Sequence, residues 1–218
     1  DQTLFAVSDN ESRPVHTGSL FEVEGEQLTV VSVDGYRLAL RREGIGEKKG
    51  EDSFSFVVPG SALSEVEKIC AGGEKPITVI QGARHVMFDT GDTILVSRRL
   101  EGEFLAYRKA IPQNSTIHVE GDTKALLTSI DRVSLIISDK LKSPLRCIFD
   151  DGVLHITTKT GIGDASDQCP ITGDGQGLEI GFNNKYLMDA LKAAPVDRVR
   201  LEMTSGVAPC VIVPAEGE

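Results

Sequence analysis

The tetrapeptide Phe88-Asp89-Thr90-Gly91 is the arrangement of residues whose chemistry is most distinctive in this chain. An apolar residue followed by Asp-Thr-Gly is typical of aspartic proteases, in which two such carboxylates share one proton. The motif occurs once, and the surrounding pattern predicts a hairpin turn at this point. An enzyme that uses Asp89 would need a second carboxylate from another copy, and this reading stays open as an alternative.

The other reactive residues are scattered along the chain. The histidines follow neither the HExxH nor the HxH spacing, the four cysteines form no CxxC pair, and no serine lies in a GxSxG turn. These residues are His16, His85, His118, His155, Cys70, Cys147, Cys169 and Cys210. We therefore predict no cofactor and no metal site, and we expect reduced thiols.

Composition and charge limit the class of protein further. A chain of 218 residues, 40% hydrophobic and 26% charged, is long enough for two globular domains. No apolar run reaches the ~18 residues of a membrane span, and no basic and apolar leader precedes the first domain. We therefore expect a soluble cytoplasmic protein. Its net charge of -10 predicts that any contact with DNA is local or topological.

The pattern of apolar residues predicts the elements that position these groups. Residues 17–40 alternate between apolar and polar types around two glycine turns, which indicates an antiparallel meander. A strand at 54–58 runs into Pro59, where an amphipathic helix begins because a missing N–H costs nothing at a helix start. Three further short strands are predicted at 77–80, 85–88 and 93–96.

The second half of the sequence repeats this plan with an offset of roughly 122 to 124 residues. It predicts a hairpin at 145–158, a strand at 178–182, a helix at 183–194 and strands at 199–203 and 207–213. A helix precedes the hairpin, capped by Asp122 and Thr123, with a core stripe that ends at Ile137. In the first copy only Asp1–Asp9 would match this helix, and the second copy would lack its last strand.

Four segments resemble the bacterial DNA polymerase III β sliding clamp in sequence and in order. They are SRPVHTGSLFEVEG at Ser12, VSVDGYRLAL at Val31, EGEFLAYRKAIPQN at Glu101 and EIGFNNKYLMDAL at Glu179. The resemblance implies an α+β DNA clamp fold, with the central domain at 1–112 and the C-terminal domain at 113–218. It also implies a non-catalytic processivity factor that closes head to tail as a homodimer around duplex DNA.

The resemblance implies a cleft beside the junction of these two domains, where partner proteins insert a linear peptide. Such a cleft needs aliphatic walls and a few orienting polar groups. The implied partners are the polymerase III alpha subunit, the clamp loader, other polymerases and repair proteins. The cleft residues carried over are Arg13, His16, Val33, Gly35, Tyr36, Arg37, Leu38, Leu105, Lys109, Ala110, Leu141, Asn183, Tyr186, Val207 and Pro209.

Some of these positions depart from the family's usual residues. The family often has a leucine-like residue at His16, Thr at Val33, Pro at Leu105 and Arg at Lys109. The peptide preference of the cleft therefore cannot be carried over with its location.

Two further surfaces follow from the helices. Leu135 lies opposite the core stripe of its helix, and together with Ile136 it matches the family's apolar dimer contact. Basic residues on the helices would face DNA without reading its bases; they are Lys68, Lys124, Arg132, Lys185 and Lys192. A two-domain interaction module unrelated to DNA is the remaining alternative.

Overall fold

The computed structural model describes residues 1–50, 52–71, 76–138 and 143–215, and these residues form two compact units. Unit 1 comprises Asp1–Tyr107 and unit 2 comprises Arg108–Glu218. A short helix, Tyr107–Ala110, spans the division between them. The domain boundary after residue 112 stays a prediction.

Unit 1 begins with two 3-10 helices, Leu4–Ala6 and Pro14–Thr17, followed by a four-stranded antiparallel sheet. Its strands are β1 (Gly18–Glu24), β2 (Gln27–Val33), β3 (Leu38–Gly44) and β4 (Ser53–Pro59), in the order β3-β2-β1-β4. Helix α1 (Gly60–Cys70) starts directly after Pro59, as the missing N–H of that residue predicts. The sequence therefore located this strand and helix to within one or two residues.

A separate three-stranded sheet completes unit 1. Its strands are β5 (Thr78–Gln81), β6 (His85–Asp89) and β7 (Ile94–Arg98), paired in chain order. Val86 and Phe88 point from β6 into a core that also contains Phe21 and Phe56 of the first sheet. The two sheets of unit 1 thus share one apolar core.

Unit 2 continues the chain from the short helix α2 (Tyr107–Ala110) into a seven-stranded antiparallel sheet, in the order β12-β9-β10-β11-β8-β13-β14. Its strands are β8 (Ile117–Asp122), β9 (Leu145–Asp150), β10 (Val153–Thr160), β11 (Gly163–Gly173), β12 (Leu178–Phe182), β13 (Arg198–Met203) and β14 (Val211–Pro214). Strand β8 joins the two parts of the sheet, because it pairs with both β11 and β13.

Two helices pack on this sheet and are capped by side chains. The Asp122 carboxylate accepts a hydrogen bond from the Ala125 N–H at the start of α3 (Thr123–Ser134), at 2.7 Å. Asn183 caps α4 (Asn184–Ala193) in the same way through the Tyr186 N–H. Leu126, Ile130 and Val133 of α3 are buried, which confirms this part of the predicted core stripe. The helix ends at Ser134, so Ile137, predicted as the end of the stripe, lies beyond the helix and is half-buried.

Two further sequence predictions were wrong in detail. Asp1–Asp9 contains a 3-10 helix at Leu4–Ala6, not an α-helical tail. The last strand of unit 2 begins at Val211 and not at Val207. At Gly206 a Cβ atom would lie 2.0 Å from the Glu179 carbonyl oxygen, so this segment passes close to β12 as a loop, and Pro209 offers no N–H for a ladder.

Candidate functional site

A pocket of about 420 Å³ lies within unit 1, between a 3-10 helix and an extended segment that follows β7. Its walls are Arg13–His16 and Glu101–Ala106. The pocket therefore brings together three of the predicted cleft residues, Arg13, His16 and Leu105. Leu105 is exposed, which leaves an apolar side chain on the wall of the pocket.

Backbone hydrogen bonds fix the shape of the pocket. The His16 N–H donates to the Arg13 carbonyl at 3.0 Å, and the Ser8 N–H donates to the His16 carbonyl at 2.9 Å. On the opposite wall Gly102 has a φ of +129°, which other residues rarely adopt, and a Cβ there would lie 3.5 Å from Val15. Hydrogen bonds thus fix the first wall, and a glycine lies where the second wall passes close to Val15.

An aromatic pair joins the walls. The rings of His16 and Phe104 meet edge to face, with centroids 5.2 Å apart and planes at 76°. Burial lowers the pKa of His16 below its ordinary value, and the neighbouring Arg13 lowers it further. The imidazole is therefore predominantly neutral at pH 7, and together with Phe104 and Leu105 it presents an uncharged, largely apolar surface between charged groups.

The turn between β2 and β3 carries the next predicted residues. The Asp34 carboxylate accepts hydrogen bonds from the Tyr36 and Arg37 N–H groups and from the Arg37 guanidinium. The guanidinium also lies 5.4 Å from the centre of the Phe5 ring. Gly35 has a φ of +89°, so its position in the turn has a conformational reason.

The strand ends on either side of this turn differ in exposure. Val33 is 2% exposed and packs in the core, so its contact with a peptide stays a prediction. Leu38, its cross-strand partner, is half-buried, and Tyr36 is exposed at the tip of the turn. Lys109 and Ala110 are exposed on helix α2.

Unit 2 carries the remaining predicted cleft residues. Asn183 and Tyr186 lie at the first turn of α4, joined by the capping hydrogen bond at 3.2 Å. Val207, which is 98% exposed, and Pro209 lie on the loop before β14. Leu141 lies outside the described residues.

The predicted dimer contact lies at the end of α3. Leu135 caps the helix and is exposed, as the helical wheel predicts, and Ile136 is half-buried. A large apolar side chain at an exposed helix end is compatible with an interface, although single exposed leucines are common. The contact itself stays a prediction.

The predicted DNA-facing residues are all exposed on helices. Two have acidic partners: Lys68 with Glu65 at 2.7 Å, and Arg132 with Asp167 at 3.0 Å. Lys124 and Arg132 share a shallow pocket beside α3. The others are Lys185 and Lys192 on α4.

Asp89 has a structural role in the turn after β6. Its carboxylate accepts a hydrogen bond from the Gly91 N–H at 2.8 Å, and Gly91 has a φ of +87°. The DTG motif is thus accounted for by turn chemistry. Within the described ranges no group of three or more His, Cys, Asp or Glu side chains is arranged to hold a metal ion, and no helix is both long and apolar enough to cross a membrane.

Some pocket residues were missed from the sequence. Phe104, Glu101 and Glu103 belong to the EGEFLAYRKAIPQN segment, so the resemblance contained the signal without singling them out. The placement of Phe5 against Arg37 had no signal in the sequence, because the contact joins two distant segments.

The comparisons with known proteins define the class. One family model, the DNA polymerase III beta subunit, central domain, matches residues 1–105, and a second, its C-terminal domain, matches residues 108–218. The chain therefore belongs to the DNA polymerase III beta subunit family. Its α+β architecture is a DNA clamp fold, and this family of processivity subunits is non-catalytic.

Individual relatives agree with this assignment. The chain is 32% identical to the beta sliding clamp of Staphylococcus aureus strain Mu50, over 98% of this chain and 56% of that protein. A putative DNA polymerase III beta subunit from Eubacterium rectale shares 34% identity with a TM-score of 0.92, covering 99% of this chain and 58% of that one. The Bacillus subtilis sliding clamp shares 29% at a TM-score of 0.92, over 100% and 58%. The chain thus spans little more than half the length of these relatives.

Proposed function

We propose that this chain forms the central and C-terminal part of a DNA sliding clamp that keeps the replicative polymerase on duplex DNA. The observation that carries the proposal is the match of both domain models, in the family's order, over almost the whole chain. The relatives are named as sliding clamps. A clamp of this kind acts in the bacterial cytoplasm without catalysing a reaction.

Charge supports a topological mode of DNA binding. The net charge of -10 opposes retention by electrostatic attraction alone. A ring does not need that attraction, because it is held by encirclement while scattered basic side chains contact phosphates without reading bases. The residues proposed for this role are Lys68, Lys124, Arg132, Lys185 and Lys192. Leu135 with Ile136 would contribute the C-terminal side of a head-to-tail homodimer contact.

The pocket of unit 1 would bind a short linear peptide from a partner protein. His16, Phe104 and Leu105 offer an apolar surface for an anchor side chain, and Arg13 offers a donor for a carbonyl or carboxylate oxygen. The partners proposed are the polymerase III alpha subunit, the clamp loader, other polymerases and repair proteins. Leu38 and Arg37 are further predicted peptide contacts in unit 1, and Tyr186 is a predicted peptide contact in unit 2.

A calorimetric titration tests this proposal with a peptide that ends in a QL-x-L-F-like motif. Leu105→Asp should weaken binding at least tenfold, because it places a charge on an apolar wall that the anchor must cover. Leu105 is exposed, so the substitution leaves the core intact. Leu38→Asp should also weaken binding.

Ile162→Asp is the matched control, because Ile162 is an exposed apolar residue on the hairpin between β10 and β11 of unit 2. It should bind the peptide like the unaltered chain. Unchanged affinity in both Leu105→Asp and Leu38→Asp would show that the pocket is misassigned, and no binding by the unaltered chain would argue against a peptide site in unit 1.

A further inference from the structure

The outward face of the β5-β6-β7 sheet is apolar at its centre. The register pairs Ile80 with Met87 and Met87 with Val96, so these three side chains form one row across the sheet. Ile80 is 48% exposed, Val96 60% and Ile94, in the adjacent row, 59%. The opposite face already packs into the core through Val86 and Phe88. The outward row therefore lies outside the core cluster of unit 1.

The repeated unit provides an internal reference for this face. The Leu201–Ile212 pair between β13 and β14 corresponds to the Val79–Phe88 pair between β5 and β6. Glu202, the next residue of β13, therefore corresponds to Ile80 of β5. Glu202 accepts a hydrogen bond from Arg200 at 3.0 Å on the same strand. The outward face of β13 thus carries an ion pair, whereas the equivalent strand of unit 1 carries Ile80. A sheet face that contacts only water is expected to carry polar side chains, as β13 does, and not a row of apolar ones.

Charges flank the apolar row in an ordered way. Asp89 lies at one end of β6, while His85 at the other end of β6 pairs with Arg98 of β7. The acidic and basic ends are four residues apart along a strand, which is about 13 Å. A second copy turned about a two-fold axis along the apolar row would place its basic end over the acidic end of the first. Each copy would bring the same surface, as an isologous contact requires.

We propose that this face, defined by Ile80, Met87, Ile94 and Val96 with Asp89 and Arg98 at its ends, is a contact between two copies of this chain. Met87 lies across the two-fold axis from its own equivalent. Arg98 of each copy is displaced by about one strand spacing, ~5 Å, from the Asp89 of the other, across facing sheets ~10 Å apart, and its long side chain can span this separation. The contact differs in place and symmetry from the predicted head-to-tail contact at Leu135.

The size of the face sets the expected affinity. Three strands of four or five residues cover far less than the ~800 Å² that each partner of a stable dimer buries. The contact should therefore be weak, with a dissociation constant on the order of 100 µM. Such a weak contact would form to a large extent only where the local concentration of the chain is high.

Sedimentation equilibrium of the chain from micromolar to millimolar concentration tests the proposal. The unaltered chain should show a monomer–dimer equilibrium, and Val96→Lys should weaken it at least tenfold. Ile162→Lys, at an exposed apolar site in unit 2, should leave it unchanged. A chain that stays monomeric up to millimolar concentration, or dimerises equally well as Val96→Lys, would overturn the proposal and leave the face to a different partner.

A charge exchange tests the orientation of the two copies. Arg98→Glu and Asp89→Lys each place like charges together in a homodimer, so each variant alone should associate more weakly. Mixed in equal amounts they restore opposite charges at both ends, and association should recover. Thermal melting checks Asp89→Lys, which loses the turn hydrogen bond to Gly91. If each variant alone is weakened but the mixture of folded variants associates no better than either alone, the two-fold arrangement is wrong.

Discussion

Helices α1 and α4 follow equivalent strands in the two units, yet they are buried to different extents. Helix α4 buries Leu187 and Leu191, whereas α1 has no buried residue. In unit 2, α4 packs against α3, while in unit 1 the segment beside α1 is the 3-10 helix Leu4–Ala6. In this chain the amphipathic helix that packs against a second α-helix buries two leucines, and the one beside the 3-10 helix buries none.

Substitution of the equivalent leucines by alanine should give the largest difference between the two helices, measured as the loss of unfolding free energy. Leu187 and Leu63 are both the fourth residue of their helix, but Leu187 is 6% exposed and Leu63 is half-buried. Leu187→Ala should cost about 2 to 5 kcal/mol of unfolding free energy because it leaves a cavity. Leu63→Ala should cost roughly 1 to 2 kcal/mol, because part of the lost area is already hydrated.

Urea unfolding, followed together with amide exchange in each helix, measures both costs. Amide exchange reports on each unit separately, which is needed because multi-domain chains do not generally unfold in one transition. Equal costs at Leu187 and Leu63 would show that the helices are equally buried and would remove the basis of the comparison.

The rates at which the cysteines react with a thiol reagent should also differ between the two units, although we expect this effect to be smaller. Burial raises the pKa of Cys147 and of Cys210 in unit 2 to about 12. Only the thiolate reacts, so at pH 8 both should be labelled slowly, and burial also raises the pKa of Cys169. Cys70, half-buried at the end of α1, should react first.

A time course with a thiol reagent and mass spectrometry assigns each labelled site. Cys70→Ser should remove the fast phase, and in concentrated urea all four cysteines should react at similar rates. Labelling of Cys147 or Cys210 in the folded chain as fast as Cys70 would contradict the raised pKa of these two thiols.

His16 should produce the smallest effect, on the pH dependence of stability. Its pKa is lowered in the folded state, so the unfolded chain binds more protons at low pH. The contribution of this residue is complete above the ordinary histidine pKa of 6.5 and declines as pH falls below it. His16→Gln should flatten the loss of unfolding free energy between pH 7.5 and pH 5.5; an unchanged slope would mean that His16 titrates normally.

Regular elements were predictable wherever local chemistry decides them. Pro59 predicted the start of α1, Asp122 the cap of α3, and the alternation in 178–182 the bounds of β12. The start of β14 was not predictable, since it depends on how closely Gly206 approaches a distant strand. The spacing of apolar residues predicts which side chains face a core, but it does not indicate which distant segments of the chain approach one another.

The candidate site likewise has residues that could be predicted from the sequence and contacts that could not. Arg13, His16 and Leu105 could be carried over by resemblance, and the pocket in unit 1 contains all three. The edge-to-face contact of His16 with Phe104 and the packing of Phe5 beneath Arg37 depend on tertiary structure, so the motifs did not indicate them. The apolar row at Met87 was visible only after strand register was known.

Hydrogen–deuterium exchange of the chain with and without the QL-x-L-F-like peptide tests the central claim most directly. We expect slower exchange at the backbone amides of 13–16 and 101–106, which form the two walls of the pocket, and unchanged exchange in β5, β6 and β7. Peptide-dependent protection confined to other segments, with both walls unaffected at saturating peptide, would contradict the assignment of this pocket as a partner-binding site.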